Sequence, residues 1–288
     1  MADDGKTIEW QEMSDTELES HFNPRVACPE AATHLAYFAA ESAAARERQD
    51  MRRNISYGDH PREVYDIFPG PVGGPMHIFV HGGYWRALSK DDHRFVAGPL
   101  VGAGGTVVLI NYPLCPDVTL DSLAASVMRG IAHAATHAAD YGATTDGVHV
   151  SGHSAGAHLS AIAAAHDWTQ YGLPADLIRS ATLLSGIFDP RATQRLSINA
   201  EIGLTDEVAA RNNILTEAYA PRDGIDLLLA AGGDEPAAWI AQSTSYAAMH
   251  GVTREVILPE GCNHFTLMQE VANARSHLTR TMLSMMGL

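Results

Sequence analysis

A chain of 288 residues that is 46% hydrophobic and 18% charged holds enough apolar material for one large α/β domain or two small ones, and its composition excludes a disordered segment or a coiled coil. Its formal net charge of −15 argues against nucleic acid and anionic membrane surfaces as partners, and no apolar run of about 18 residues is present to span a membrane. The acidic start, Met1-Ala2-Asp3-Asp4, is the opposite of a secretory signal, so the expected location is the cytoplasm. Cys28, Cys115 and Cys262 are far apart and odd in number, which suggests neither a disulfide framework nor a zinc cluster.

Residues 1–53 read as an N-terminal helical extension. Ser14-Asp15-Thr16-Glu17 is a candidate cap for a short helix, Asn23-Pro24 breaks the stretch, and the Ala-rich run 30–53 suits one longer helix. This extension carries no evident chemistry and is expected to pack over the main domain or line the mouth of a pocket. From Asn54 the pattern becomes α/β. Strands are expected at 62–68, 76–81, 106–110, 148–151, 178–184, 225–231 and 255–258. Helices are expected at 91–101 (with Ser89 as cap), 120–139, 155–167, 236–250 and 265–285. The run Thr106-Val107-Val108-Leu109-Ile110 is apolar throughout, as for a strand buried on both faces. Strands alternating with helices predict an α/β domain over 54–288, with a mostly parallel central sheet and helices on both faces. The alternation lapses at about 186–224, a small cap-like insertion.

The chemistry gathers at Gly152-His153-Ser154-Ala155-Gly156. An apolar strand, a Gly-flanked turn and an Ala-rich helix around a serine make G-x-S-x-G, a nucleophile elbow. The small neighbours allow the strand and helix to pass closely around a strained turn. A serine hydroxyl is a weak nucleophile until a base takes its proton and a third group orients that base. The acid is expected just past a later strand, where the run from Leu227 to Gly233 is followed by Asp234 and Glu235. Asp234 is preferred because it directly follows the glycines at the strand end.

The base is expected after the last strand, and His264 lies in a Gly-containing turn before the final helix. His133 and His137, four apart on a helix, lack a third ligand and an H-E-x-x-H pattern, and read as a solvated helix face rather than a metal site. His153 and His158 adjoin the elbow and are expected to pack there. The oxyanion hole is expected to combine the N–H of Ala155 with those of Gly82 and Gly83 in His81-Gly82-Gly83-Tyr84-Trp85. Tyr84, Trp85 and Phe265 are candidate walls of the substrate pocket. No metal or cofactor is called for. The expected partner is a small-molecule substrate, and a homodimer is left open.

These motifs resemble the kynurenine formamidase (arylformamidase) branch of the α/β-hydrolase family. The resemblance rests on His81-Gly82-Gly83-Tyr84-Trp85-Arg86, Gly152 to Leu159, Ser185-Gly186-Ile187-Phe188-Asp189 and His264-Phe265. The stretch from Tyr57-Gly58 to Asp66-Ile67-Phe68-Pro69 also looks like that branch. The resemblance covers roughly residues 54–288. It implies an α/β-hydrolase fold, a triad of Ser154, Asp234 and His264, and hydrolysis of a small N-formyl aryl amide such as N-formylkynurenine, a step of tryptophan catabolism. After its acid the branch often carries Pro-Glu-Phe leading to Arg-Gln-Ser. Here Pro236 and Gln242-Ser243 are kept while the Glu, Phe and Arg are absent. A carboxylesterase, or a hydrolase of another amide, imide or carbamate, is the alternative with the same triad. A non-catalytic binding module would not need all three groups. Arg86, Arg191 and Arg195 are candidates for a substrate carboxylate, and spacing selects none of them.

Overall fold

The computed structural model of the protein describes residues 10–48 and 50–288. Its strands are β1 (Arg52–Ser56), β2 (Val64–Phe68), β3 (Gly74–Val80), β4 (Thr106–Ile110), β5 (Ala143–His153), β6 (Ile178–Leu184) and β7 (Asp226–Ala230). They form one sheet in the order β1-β2-β4-β3-β5-β6-β7. β1 and β2 run antiparallel to their neighbours, and every pairing from β4 through β7 is parallel. The helices are α1 (Asp15–Phe22), α2 (Pro24–Ala27), α3 (Ala31–Arg48), α4 (Ala97–Gly102), α5 (Leu120–Thr136), α6 (Ala155–Ala165), α7 (Asn199–Ile202), α8 (Asp206–Arg211), α9 (Ala237–Met249), α10 (Leu267–Val271) and α11 (His277–Met285).

Alternation along the parallel strands sorts the core into two layers, because successive side chains leave a strand on opposite faces. Ile78, Val108, Val150, Leu183 and Leu229 face one side, together with buried residues of α5, α6 and α9. Phe79, Val107, Leu109, Leu184 and Leu228 face the other, beneath α3, α4, α10 and α11. Each fully buried Val, Leu or Phe contributes about 1.5–3 kcal/mol. α6 has no polar face to spare, since its residues from Ala155 to Ala164 are all buried. Such a helix belongs inside.

Several elements differ from expectation for local reasons. β1 straddles the expected boundary at 53/54. Its polar, exposed sequence is that of an edge strand, paired on one side only. The segment at 91–101 is split into 3₁₀ turns, Lys90–Asp92 and Arg94–Val96, before α4. Lys90 and Arg94 both reach the fully buried Asp66 carboxylate, at 2.9 and 2.8 Å, and hold the segment in tighter turns. At 255–258 only Ile257 bridges to Ala230, and Pro259 has no N–H with which to extend the ladder. The final helix is interrupted between α10 and α11. Asn273 Oδ1 accepts the Arg275 N–H, and Ser276 Oγ accepts that of Thr279, so local side-chain bonds replace helical ones. Ser14 and Glu17 do form the reciprocal cap that opens α1. Among the described residues no helix is long and apolar enough to cross a membrane.

The sheet carries buried imidazoles. His77 and His149 are partners across β3 and β5, and they bond Ser151 Oγ and Ser180 Oγ, each at 2.7 Å. Burial pushes His77 down to about 3 and His149 to about 4, and it also brings His158 of α6 to about 4. Each folded value lies below the ordinary one near 6.5. Between those limits the unfolded chain binds protons that the folded chain refuses, so stability falls as pH falls. The urea midpoint is therefore expected to drop steadily from about pH 7 to about pH 5 at constant ionic strength. A flat profile over that interval would contradict neutral, buried histidines.

Candidate active site

The parallel order β3-β5-β6-β7 brings four chain turns side by side at the carboxyl ends of the strands. After β3 the chain runs to β4 on one side, and β5 then forms on the other, so the turns after β3 and β5 flank the topological switch point. His81-Gly82-Gly83 follows β3, Ser154 follows β5, Ser185 follows β6, and Gly232 to Glu235 follow β7.

Ser154 stands at φ 57° and ψ −119°, outside the regions a side-chain-bearing residue prefers. Its N–H is fixed to Leu184 O at 2.8 Å. The flanking glycines permit this turn. A Cβ on Gly156 would lie 2.0 Å from Val80 O, and one on Gly152 would lie 2.1 Å from Gly156 O. No side chain fits at either place. Ala155 is the first residue of α6, so its N–H has no intrahelical acceptor and points out of the positive end of the helix.

The glycine turn after β3 lies against this elbow. A Cβ on Gly82 would stand 2.8 Å from His153 O and 3.2 Å from the Ser154 Cβ. Gly83, at φ 119°, accepts the N–H groups of Arg86 and Ala87 at 3.1 and 3.0 Å. His81 Nδ1 meets Gly82 O at 2.6 Å, and Tyr112 donates its hydroxyl to His81 O, also at 2.6 Å. Burial holds His81 well below the ordinary imidazole range. It is therefore a neutral prop for the turn.

His264 is gripped by the turn after β7, but not by the residue expected. Glu235 Oε2 lies 2.9 Å from His264 Nδ1, with the Glu235 side chain 1% exposed. Asp234 is exposed, and its carboxylate accepts the Gly261 N–H at 3.2 Å. The reason is in the main chain. Gly233 and Asp234 donate to Pro259 O and Cys262 O, each at 2.9 Å, which zips the turn against the loop that carries His264. That pairing directs the Asp234 side chain along the loop surface. The next residue then turns inward, where Gly232 N–H binds Glu235 Oε1 at 2.6 Å. The carboxylate facing the imidazole is thus Glu235, and the choice of Asp234 is corrected.

His153 donates from Nε2 to His264 O at 2.8 Å. Burial and the nearby His264 keep it well below the usual range, so it braces the loop as a neutral donor. His158 Nε2 meets Asn212 O at 2.8 Å. His133 and His137 stack on each other, with ring centroids 4.3 Å apart. His133 Nδ1 bonds Tyr65 OH at 2.8 Å, so this pair is half-buried against an aromatic cluster rather than a solvated face. Among the described residues no group of three or more His, Cys, Asp or Glu side chains is placed to hold a metal.

Ser154 and His264 open on one pocket, which encloses about 50 Å³. Tyr84 and Phe265 line it as expected, with the Tyr84 hydroxyl donating to Phe22 O at 2.9 Å. Trp85 does not line it. At φ 59° its ring turns inward, fully buried, edge-on to His158 at 5.3 Å. Tyr84 and Trp85 are consecutive, and they leave the turn in opposite directions. Pro24, Arg25, Leu35 and Phe38 also line it, so the N-terminal extension contributes to the pocket wall.

Of the three candidate arginines only Arg86 borders the pocket. Arg191 pairs with Asp189, and Arg195 with Asp15. The sequence reading gave no role to Ser185 and Trp239, which meet the Glu235–His264 pair. Ser185 Oγ lies 2.9 Å from His264 Nδ1, and Trp239 Nε1 donates to Ser185 Oγ at 2.9 Å. Ser185 is the first residue beyond an apolar strand, the same position that marks Ser154.

This arrangement is that of an α/β-hydrolase, and residues 77–275 match the family model described as alpha/beta hydrolase fold; the chain belongs to that family. It is 29% identical over 294 residues to the kynurenine formamidase of Danio rerio, covering 97% of this chain and 99% of the relative. The identity is again 29% over 294 residues with the kynurenine formamidase of Salmo salar, covering 96% and 98%. A crystal structure of a candidate thioesterase from Silicibacter superposes with a TM-score of 0.78 at 25% identity, covering 93% of this chain and 99% of that one. The chain is a kynurenine formamidase-like α/β-hydrolase.

Glu235→Gln keeps the shape and removes the charge beside His264. It is expected to lower kcat for a p-nitrophenyl ester by about 10³-fold or more, whereas Asp234→Asn should stay within about tenfold of the parent. The reverse order would restore Asp234 as the partner of the base.

Proposed function

We propose that the chain is a metal-independent serine hydrolase that cleaves a small N-formyl aryl amide of the N-formylkynurenine type. The observation that carries this reading is the convergence of Ser154 and the Glu235-backed His264 on one small pocket. Glu235 holds the Nδ1–H tautomer of His264 and leaves Nε2 free to accept the Ser154 proton. Ser154 Oγ attacks the carbonyl carbon. The oxygen takes up the negative charge and is received by the N–H groups of Ala155, Gly82 and Gly83. His264 then returns the proton to the amine nitrogen, the C–N bond breaks, and a formyl ester remains on Ser154. Water, deprotonated by His264, releases formate and restores the serine.

The pocket size favours a short acyl group. About 50 Å³ equals the space of only a few water molecules at about 10–15 Å³ each. A formyl group fits there, and the aryl amine is left to lie outward along Tyr84, Phe265 and Phe38. Arg86 supports a carboxylate-bearing leaving group. Its Nη1 pairs with the exposed Glu201 at 2.7 Å, while its buried Nε has no partner among the described residues. Exposed Arg25 stands on the same rim.

The deciding assay compares N-formylkynurenine with a short p-nitrophenyl ester. A kcat/KM for the formamide of about 10⁴ M⁻¹s⁻¹ or more is expected, and Ser154→Ala should remove at least about 10³-fold of it while the fold is kept. Fast ester cleavage with negligible formamide turnover would discard the substrate and keep the nucleophile. Arg86→Met is expected to raise KM for N-formylkynurenine by about 10- to 100-fold, the worth of a charged hydrogen bond, with little change for uncharged formanilide. An equal effect on both substrates would remove Arg86 as the carboxylate partner.

A further inference from the structure

Among the described residues Ser185 is the one hydroxyl that touches both Glu235 and His264, and no step of the proposed reaction consumes it. It is fully buried at the end of β6, with φ 50°. Its N–H is tied to Ala230 O at 2.7 Å. Its Oγ lies 2.6 and 2.5 Å from the two Glu235 carboxylate oxygens, 2.9 Å from His264 Nδ1 and 2.9 Å from Trp239 Nε1. The proton count then leaves one arrangement. Trp239 Nε1–H can only donate. In the tautomer that leaves Nε2 open to Ser154, His264 Nδ1 carries a hydrogen and also donates. The carboxylate has no proton to give, so the single Ser185 proton goes to Glu235.

We infer that Ser185 is a positioning residue: its hydroxyl, aimed by the Trp239 indole N–H, fixes the Glu235 carboxylate so that His264 is held in the tautomer and orientation that can accept the Ser154 proton. The inference rests on Ser154 and His264 acting as proposed above. Without the Ser185 hydroxyl, Glu235 keeps the Gly232 N–H on Oε1 and the His264 Nδ1–H on Oε2 and loses its lateral donor. The carboxylate is then less tightly restrained about its terminal bond, a broad torsion, and its alignment with the imidazole loosens. Substrate contacts are untouched by such a loosening, so its effect belongs in kcat and not in KM.

Ser185→Ala and Ser185→Gly are compared with the parent protein on the best substrate of the assay above. The glycine variant matters because it relaxes the left-handed backbone while deleting the hydroxyl. Both variants are expected to lose about 10- to 100-fold in kcat, the worth of one charge-assisted hydrogen bond, with KM within about twofold. The downfield His264 Nδ1–H proton resonance should weaken or move upfield in both, while the thermal midpoint of the glycine variant stays near that of the parent. Trp239→Phe keeps a ring beside His264 and removes the N–H, which also reaches Ser185 O at 3.2 Å, together with part of the indole. It should shift kcat the same way by a smaller factor, and its effect should not add to that of Ser185→Ala. Ser185→Gly with parental kcat and an unchanged resonance would overturn the inference, since the residue would then serve the backbone alone. If the Ser185 variants do not fold, a parental kcat in Trp239→Phe overturns it equally. A parent protein that a serine-directed phosphonate fails to label at Ser154 would instead bring down the nucleophile, and the positioning role with it.

Discussion

The site depends on how closely the start of α6 approaches the end of β3. Val80 O lies where a Cβ of residue 156 would have to sit, so helix and strand are in main-chain contact with nothing between them. That contact sets the elbow. It forces Ser154 into a strained turn, places the N–H of Ala155 at the mouth, and presses the Gly82 backbone against the Ser154 side chain. The strain clusters there. Among the described residues six non-glycine residues have positive φ, and Tyr84, Trp85, Leu88, Ser154 and Ser185 belong to the turns around the pocket; only Asn54 is elsewhere. Backbone strain of this kind persists where the surroundings over-determine it. Here the parallel sheet and its buried helix do so.

The second half of the machinery is held by main chain rather than by side-chain packing. The turn after β7 and the loop bearing His264 exchange three backbone bonds: Ala231 N–H to Ile257 O, Gly233 N–H to Pro259 O and Asp234 N–H to Cys262 O. These zip two otherwise separate loops into one rigid piece. Asp234 adds a side-chain bond to the Gly261 N–H, and His153 ties the His264 carbonyl back to the elbow. The imidazole is fixed from three strand ends at once.

What the sequence made legible follows from this. Features dictated by the main chain were readable: the elbow, the glycine turn after β3, the strands Thr106–Ile110 and Ile178–Leu184, and a histidine in the loop beyond the Ile257 bridge. Each needs particular residue types, since only small residues survive the close approach and only apolar ones fill a doubly covered strand. Features decided by which way a side chain leaves a turn were not readable. Asp234 and Glu235 are adjacent carboxylates, and the zipper bonds that aim one outward and the other inward come from residues 259–262. Trp85 and Tyr84 diverge for the same kind of reason. The role of Ser185 required knowing that Trp239, 54 residues away, would supply its second hydrogen bond. β1 was hidden because an exposed edge strand has no apolar alternation to display.

Chemistry and selectivity are built from different materials in this molecule. The proposed nucleophile, base and acid, and the turns proposed to receive the oxyanion, hang on sheet ends and backbone bonds. Part of the pocket wall comes from Pro24, Arg25, Leu35 and Phe38, side chains on helices that precede the sheet. Replacing those side chains reshapes the entrance without moving a strand end. The architecture therefore lends itself to divergence of substrate range under a constant reaction, with the N-terminal helices as the interchangeable part.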